Sequence, residues 1–399
     1  MSPHALISGA GIAGPALAHQ LHARGWRTTV VERATELRED GQNVDVRGTA
    51  REVVRRMGLE EEILAAGTRE EGTRFVDDAG RPVAEFAAGR DDTRGLTAEA
   101  EILRGTLARL LHDRTRTGTE YRFGDRIVDV RQDTEGVTAT LERGGTVEAD
   151  VLVVADGTRS RTRDLVFDDV VLEELGLYAA YLTIPRTADD DRWWTVLNTT
   201  GSRGVSLRPD DRGTTRAALT FLSGVRGLEA LAPESRTAVL RRTFADAGWQ
   251  TSRVLDALDA PYYMDAIARV HARSWSAGRV VLLGDAAWST GPFGTGTSLA
   301  LTGAYVLAAE LADGSDHRSA LARYEQVVRP FAMKAQGVTA TQLRAANPSS
   351  RLGLATQRAV LRVAASAPLQ PLVERLAAPP ADTITLPARY GSPAPARVA

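Results

Sequence analysis

The chain has 399 residues, of which 43% are hydrophobic and 25% charged, ordinary proportions for a globular protein with a sizeable core. With 49 basic and 51 acidic residues its net charge is −2, which gives no electrostatic basis for binding nucleic acid or an anionic membrane. It contains no cysteine, which excludes disulfide-exchange chemistry and thiolate metal sites.

Residues 1–33 are predicted to form a strand, a helix and a second strand, joined by the glycine-rich turn Gly-Ala-Gly-Ile-Ala-Gly at residues 9–14. Gly9 permits a tight turn, Gly11 the close approach of a pyrophosphate, and Gly14 close packing of the helix on the strand. The N–H groups that open the helix favour phosphate. Glu32 ends the next apolar run, where its carboxylate can accept hydrogen bonds from ribose hydroxyls. The pattern therefore predicts an adenine dinucleotide ligand.

The middle of the first half has weaker signals. A helix is predicted over residues 49–57 and is followed by two strands, over 73–77 and 83–87. A second helix is predicted over residues 99–116 and carries Arg104 near its start. From 121 to 148 apolar and polar residues alternate, which is typical of an antiparallel meander.

Two later segments, residues 149–163 and 278–288, each begin with an apolar run and end in a small polar turn. Such runs suit strands buried on both faces, and the turns place Asp156 and Asp285 at the carboxyl ends of those strands, where ligands of α/β sheets bind. A glycine run at 291–296 then precedes another predicted helix. Asp285 can accept hydrogen bonds from ribityl hydroxyls, and the helix N-terminus can face an electron-rich flavin edge. These motifs, in this order, predict FAD.

Between these two segments the pattern changes to short strands separated by turns, at residues 178–184, 193–198, 204–208 and 214–221. They predict an antiparallel sheet that interrupts the dinucleotide fold and forms a substrate wall facing the flavin. A helix-rich stretch follows to about residue 250. C-terminal helices are predicted at 320–336, 339–345, 352–365 and 369–376.

The predicted fold class is α/β, with a Rossmann-like FAD-binding domain interrupted by an antiparallel β-sheet substrate domain and followed by C-terminal helices. The expected bounds are 1–72, 99–169 and 271–311 for the FAD-binding domain, 73–98 and 170–270 for the substrate-binding domain, 312–386 for the helices, and 387–399 for a mobile tail.

Four motifs resemble those of group A FAD-dependent aromatic hydroxylases, which have the para-hydroxybenzoate hydroxylase fold. The resemblance is closest to bacterial aromatic-polyketide hydroxylases and tetracycline-inactivating monooxygenases. The motifs are GAGIAG at 9–14 with the following Glu32-Arg33, ILRGTL at 102–107, ADGTRSRTR at 155–163, and GRVVLLGDAAW at 278–288 with GPFGTGTSLAL at 291–301.

The resemblance implies that Glu32 and Arg33 hold the adenosine, that Arg104 reaches the FAD, and that Asp285 binds the ribityl chain. It also implies that Asp156 interacts with FAD and NAD(P)H, and that the turn after Asp285 lines the flavin ring. The full set of expected cofactor-binding residues is Gly9, Gly11, Ile12, Ala13, Gly14, Glu32, Arg33, Arg104, Asp156, Asp285, Pro292, Gly294, Thr295, Gly296, Thr297 and Ser298.

For the substrate, matching the predicted sheet to the tetracycline-inactivating relatives places Trp194, Arg216 and Ala218 at the wall. Arg216 and Ala218 share one face of their strand. The alternative is that Trp194 belongs to the core and Arg216 to the surface.

The resemblance implies a monooxygenase that uses NAD(P)H, non-covalent FAD and O2 to oxygenate an aromatic, phenolic or polyketide-like molecule through a C4a-hydroperoxyflavin, as in secondary metabolism or antibiotic modification. The cofactor carries the hard chemistry, so no catalytic side chain is nominated. Two alternatives remain. One is an oxidase or dehydrogenase of the same fold, and the other is a flavin-binding accessory protein without turnover.

Two departures from the family pattern lie near the flavin. Trp288 stands where His or Tyr-like residues are usual, and only Phe293 separates Pro292 from Gly294, where the family has two residues. A shortened turn would shift its backbone donors relative to the flavin ring.

The remaining expectations are absences. The single lysine, Lys334, excludes a P-loop, and the six histidines lack metal-ligand spacing, so no metal site is predicted. No apolar run is long enough for a membrane span, and no basic region precedes the first strand. We therefore expect a cytoplasmic monomer or weak dimer, without nucleic-acid or membrane partners.

Overall fold

The computed structural model describes residues 2–38, 41–88, 98–292, 295–314, 316–369, 384–386 and 390. In chain order the first half contains β1 (His4–Ser8), α1 (Ala13–His22), β2 (Arg27–Glu32), β3 (Asn43–Asp45), α2 (Thr49–Arg56), α3 (Glu60–Ala65), β4 (Gly72–Val76), β5 (Pro82–Ala87), β6 (Glu101–Leu103), α4 (Arg104–Thr115), β7 (Thr119–Phe123), β8 (Ile127–Gln132), β9 (Val137–Leu141), β10 (Thr146–Ala149), β11 (Val151–Val154) and α5 (Arg161–Asp164).

The second half contains β12 (Val170–Pro185), β13 (Trp193–Thr199), β14 (Arg203–Pro209), β15 (Thr214–Leu222), α6 (Pro233–Phe244), α7 (Thr251–Asp256), β16 (Tyr263–Ala272), β17 (Ser276–Ala277), β18 (Val280–Leu282), α8 (Asp285–Trp288), α9 (Gly296–Ala312), α10 (His317–Ala335), α11 (Ala340–Ala346) and α12 (Arg351–Ala364).

The first large sheet is mainly parallel and has the strand order β17-β18-β11-β1-β2-β7. Its central strands β1 and β11 are buried along their whole length, as strands with both faces covered must be. Because β1, β2, β11 and β18 run in the same direction, their carboxyl ends meet at one edge. The turns that follow three of them, which were singled out in the sequence, therefore lie along that edge.

The second large sheet has the order β16-β12-β15-β14-β13-β4-β5 and is antiparallel except where β13 pairs with β4. One face packs on α6 and α7, with Leu219 and Phe221 of the sheet against Leu240 and Phe244 of α6 in one apolar cluster. The opposite face is turned toward the first sheet, since Asp265 of β16 binds Arg159 in the turn that follows β11. This orientation is what makes the second sheet a wall of a cleft.

The α/β fold class is confirmed, and the four predicted strands form the middle of the second sheet. Two local predictions were wrong, and one strand was missed. Residues 101–103 form strand β6, paired with β3, so the helix begins only at Arg104. The predicted meander is divided, because β7 joins the parallel sheet while β8, β9 and β10 form their own three-stranded sheet. Strand β16, at the edge of the second sheet, was not predicted.

The C-terminal helices α10, α11 and α12 lie within two or three residues of the predicted bounds, and the predicted helix at 369–376 extends outside the described residues. Within the tail that we expected to be mobile, the structure describes only Tyr390. That side chain is buried, and its hydroxyl lies 2.5 Å from Glu310 Oε1 of α9.

Candidate functional site

The glycine-rich turn after β1 is packed so closely that Gly9 and Gly14 cannot be replaced without movement of the backbone. At Gly9, where φ is +107°, a Cβ atom would lie 2.6 Å from the carbonyl oxygen of Ala155. A Cβ at Gly14 would lie 2.0 Å from the carbonyl oxygen of Gly9. Ile12 is the N-cap of α1 and Ala13 its first residue, and both are buried. The turn therefore brings bare backbone and the start of a helix to the sheet edge.

Glu32, at the end of β2, reaches back to this turn. Its carboxylate accepts hydrogen bonds from the backbone N–H groups of Ala10 and Ala34, both at 2.9 Å. The residue is half-buried, while the neighbouring Arg33 is exposed. Glu32 thus fixes the turn and lies where a ribose beside the turn would be within reach.

Asp285 lies after β18 and next to the glycine-rich turn. The residue is solvent-accessible on one side, but its carboxylate is otherwise closely surrounded by protein, and this desolvation raises its pKa, against the lowering effect of Arg104. No described residue donates a hydrogen bond to this carboxylate. The guanidinium of Arg104 would in turn lie 3.5 Å from a Cβ at Gly11. The structure therefore brings Gly11, Arg104 and Asp285 together from three distant segments.

The turn after β11 is held together by its own side chains. Ser160 donates a hydrogen bond to the Asp156 carboxylate, and Thr162 bonds to Ser8 at the end of β1 at 2.9 Å. Burial raises the pKa of Asp156, and these hydroxyls oppose that shift. Asp156 therefore stabilises the turn that lies beside Gly9.

Residues 292–298 form the last part of this edge. Pro292 is half-buried, and Gly294 lies outside the described residues. Thr295 caps α9 and is buried with an unpartnered hydroxyl, and a Cβ at Gly296 would lie 3.4 Å from the Asp285 carboxylate. Thr297 is half-buried, whereas the Ser298 hydroxyl is engaged with Asp45 O and Arg47 N.

These features fit the predicted cofactor on structural grounds. The glycine turn leaves room for a pyrophosphate that any side chain would fill, and α1 presents its N-terminus there. The unpartnered Asp285 carboxylate is an acceptor for sugar hydroxyls, and Arg104 supplies positive charge beside it. Residues at the ends of β1, β2, β6 and β18, or directly after them, could hold the two halves of a flavin dinucleotide along one edge.

The three expected substrate residues lie on the face of the second sheet that is turned toward this edge. Ala218 of β15 is directly opposite Tyr181 on one side and Ser206 on the other. Arg216 donates to Asp210 at 3.0 Å and to Thr183 at 2.5 Å. Trp194 is half-buried, with the guanidinium of Arg208 4.2 Å above its ring. Arg216 is therefore not a free surface charge.

Two tyrosines of this face were missed. Tyr181 of β12 and Tyr263 of β16 are stacked, with ring centroids 6.5 Å apart and planes 13° apart. Tyr263 donates to Asp265 at 2.7 Å, and Arg159 donates to the same carboxylate at 3.3 Å. Strand alternation could have placed Tyr181 on the face of the wall, because Tyr178 lies on the core face of the same strand.

A buried ionic cluster also escaped sequence reasoning. Arg208 binds Glu70 through two hydrogen bonds, at 2.8 and 3.0 Å, and pairs with Glu101 as well. Both carboxylates are almost fully buried. Burial raises the pKa of Glu70, and Arg208 opposes that shift. The cluster joins β14 to β6 and so fixes the distance between the wall and the FAD edge.

Two cavities, of about 150 Å³ near Trp193 and about 550 Å³ between α12 and Asp246, lie away from this edge. In the larger one, Arg358 pairs with Asp78. We assign them no role. Among the residues described by the structure, no helix is both long and apolar enough to cross a bilayer.

Comparison with known proteins defines the family. The sequence matches the FAD binding domain family over residues 3–339. The flavin-dependent monooxygenase eupH of Phoma sp is 34% identical over 90% of this chain and 91% of its own length. A flavin-dependent monooxygenase of Legionella longbeachae is 33% identical over 82% of this chain and 85% of its own.

Solved structures agree. Tetracycline destructase Tet(55) is 31% identical, with a TM-score of 0.78 over 91% of this chain and 97% of its own. Tetracycline destructase Tet(51) is 27% identical, with a TM-score of 0.78 over 97% of this chain and 99% of its own. The chain belongs to the family of FAD-binding flavin-dependent monooxygenases.

Proposed function

We propose that this monooxygenase takes electrons from NAD(P)H and inserts one oxygen atom of O2 into an aromatic, phenolic or polyketide-like molecule bound between the FAD edge and the second sheet. The observation that carries the proposal is the unpartnered Asp285 carboxylate beside Arg104 and the glycine-rich turn. When bound, FAD supplies the activation of O2, and the protein supplies orientation and exclusion of water.

In this proposal the residues of the FAD edge divide the cofactor between them. The N-terminus of α1 and the bare backbone of Gly11 take the pyrophosphate, and Glu32 takes a ribose hydroxyl in addition to the backbone groups that it already binds. Arg104 and Asp285 take the phosphate-to-ribityl region. Pro292 and the start of α9 line the flavin ring. We also propose the domain bounds given above, with the FAD edge in the FAD-binding domain and the second sheet in the substrate-binding domain.

The substrate class is supported by similarity and by the character of the wall. Tetracycline destructases share this fold at 27 and 31% identity, and their name gives tetracycline, a polycyclic molecule, as the compound on which they act. The wall carries Trp194, Ala218 and Tyr181 on one face, a partly aromatic surface suited to flat ring systems. We propose that rings lie against these side chains with one edge toward the flavin.

The electron donor is proposed to bind transiently at the open edge of the flavin, near the turn that contains Asp156. The arginines of that turn differ in availability. Arg163 is buried and donates to the carbonyl oxygens of Thr158 and Ala286, and Arg159 pairs with Asp265 and two glutamates. Arg161 is exposed and is the candidate contact for a nucleotide phosphate.

The test uses purified holoprotein. Heating should release FAD, and recovery of FMN alone would contradict the assignment of the adenosine side. Under anaerobic conditions NADPH or NADH should reduce the flavin, slowly without substrate and faster with an accepted phenol. In air, oxygen uptake should match hydroxylated product. Uptake that yields only hydrogen peroxide would favour an oxidase, and a flavin that neither donor reduces would favour an accessory protein.

A further inference from the structure

The wall carries the charged side chains of Arg208, Arg216 and Asp265, and each of them is already bound to other protein groups. Arg208 is held by Glu70 and Glu101, and Arg216 by Asp210. Asp265, at the edge, receives hydrogen bonds from Tyr263 and Arg159. Neither of these two wall guanidinium groups is free to bind a substrate carboxylate, which would then lose its water without compensation from them, and that loss is costly.

Tyr181 differs from these three charged side chains. Its ring is partly exposed on the face of the wall, between Ala218 and Tyr263, and its hydroxyl has no hydrogen-bond partner among the described residues. Stacking on Tyr263 fixes the plane of the ring, and Tyr263 is fixed in turn by its hydrogen bond to Asp265. The hydroxyl is therefore a positioned polar group without a partner.

Tyr181 also lies on the side of the wall that approaches the cofactor. Arg104 is close enough to the stacked pair to act on the pKa of Tyr263, and close enough to the FAD edge to act on the pKa of Asp285. Burial, with a contribution from Asp265, raises the pKa of Tyr181 to about 12. The phenol therefore keeps its proton at physiological pH and acts as a donor.

We propose that the Tyr181 hydroxyl donates a hydrogen bond to an uncharged carbonyl, enol or phenol oxygen of the substrate, and that the internally paired wall selects such neutral substrates over aromatic carboxylates. This inference rests on the proposed function, because it takes the open face of the second sheet as the substrate wall. Within that function Tyr181 is a specificity-determining residue, and it forms or breaks no covalent bond.

The experiment measures binding of three naphthalene probes to the FAD-loaded enzyme by calorimetry and by the flavin difference spectrum. The probes are 2-acetylnaphthalene, with a neutral acceptor oxygen, 2-ethylnaphthalene, without one, and 2-naphthoate, with a charge. The native enzyme should bind the ketone most tightly and the carboxylate least. Tyr181→Phe should weaken binding of the ketone by about three- to tenfold, the range for one hydrogen bond, and leave binding of the hydrocarbon unchanged.

Tyr178→Phe is the matched control. It removes the same atom from the same strand, but Tyr178 lies on the core face and donates to the carbonyl oxygen of Val225 at 2.9 Å. Its loss should lower stability without changing the ratio of ketone to hydrocarbon binding. An unchanged ratio in Tyr181→Phe, equal binding of naphthoate and ketone, or no binding of any probe would overturn the inference. Since no step needs NAD(P)H, failure of turnover would count against the proposed function alone.

Discussion

On the FAD side of the cleft, the Asp285 carboxylate has no hydrogen-bond partner among the described residues, whereas on the facing sheet Arg208 and Arg216 are paired with buried carboxylates. Desolvation disfavours the charged form of Asp285 until a ligand supplies hydrogen bonds. The two guanidinium groups of the facing sheet are paired before any ligand arrives. The difference indicates that one side is built to bind a polar cofactor and the other to present a fixed, nearly uncharged surface.

The largest expected effect concerns the second sheet, where the charged side chains are paired. Arg208→Met should leave Glu70 and Glu101 buried without their cation, and breaking a buried pair in this way typically costs about 3–5 kcal/mol. We expect the free energy of unfolding in urea to fall by that amount. Protein that remains folded should still bind FAD, because Arg208 belongs to the wall.

Arg131→Met provides a matched control for this variant. Arg131 also pairs with a carboxylate, that of Asp129 at 3.1 Å, but its side chain is 86% exposed. Exposed pairs contribute little, so the change should lie within about 0.5 kcal/mol. Equal losses in the two variants would show that the Arg208 cluster is not effectively buried.

The next largest effect concerns the FAD side, where the Asp285 carboxylate has no partner among the described residues. Asp285→Asn keeps the shape of the side chain and removes the charge that is proposed to accept hydrogen bonds from the ribityl chain. Such charge-assisted bonds contribute about 1.5–3 kcal/mol, so FAD affinity should fall by roughly tenfold to a hundredfold. Fluorescence titration of the apoprotein with FAD would measure it.

Asp133→Asn is the control, because Asp133 sits in an exposed turn and binds only backbone N–H groups of its own loop. It should leave FAD affinity unchanged. If Asp285→Asn also binds FAD like the native protein, Asp285 is only a turn residue, and the assignment of its carboxylate to FAD binding is wrong.

The two sides also differ in how far the sequence predicts them. The glycine-rich turn, Asp156 and Asp285 each follow a buried strand directly, and parallel strands bring their carboxyl ends together, so local patterns sufficed to place them at one edge. The register of the second sheet is not local. The alternation of β12 separates Tyr178 from Tyr181, but only pairing with β15 places Tyr181 beside Ala218.

Strand β16 and the buried acids show two other limits. In β16 the buried apolar residues Met264, Ala266, Ala268 and Val270 occupy alternate positions. The helix-rich stretch before this strand obscured that alternation. Glu101 has the composition of a surface residue, and it is buried only because Arg208 of a distant strand pairs with it. Pairing over such a separation has no signature in a single sequence.

The smallest expected effect is on the pH dependence of stability, which should have opposite signs for Asp210 on the second sheet and Asp285 on the FAD side. Burial alone would raise the pKa of Asp210, but hydrogen bonds from Thr214 and the backbone of Arg212, with the charge of Arg216, together lower it. A carboxyl with a lowered folded-state pKa stabilises the protein above its unfolded pKa, near 4, and that contribution is lost as the pH falls through the folded value. Asp210→Asn should therefore lower the stability of the apoprotein at pH 7 by about 1–2 kcal/mol, with the difference shrinking in acid.

Asp285 should behave in the opposite way, because its pKa is raised. Its protonated form is the one that the fold favours, so its contribution is present below the unfolded pKa and is lost as the pH rises through the folded value. Asp285→Asn should then make the apoprotein more stable at pH 7, with the gain shrinking toward pH 4, while it weakens FAD binding. Thermal unfolding of both apoprotein variants between pH 4 and 8 would measure the two signs. If both variants shift stability in the same direction, the contrast between the unpartnered Asp285 carboxylate and the paired charges of the second sheet does not hold.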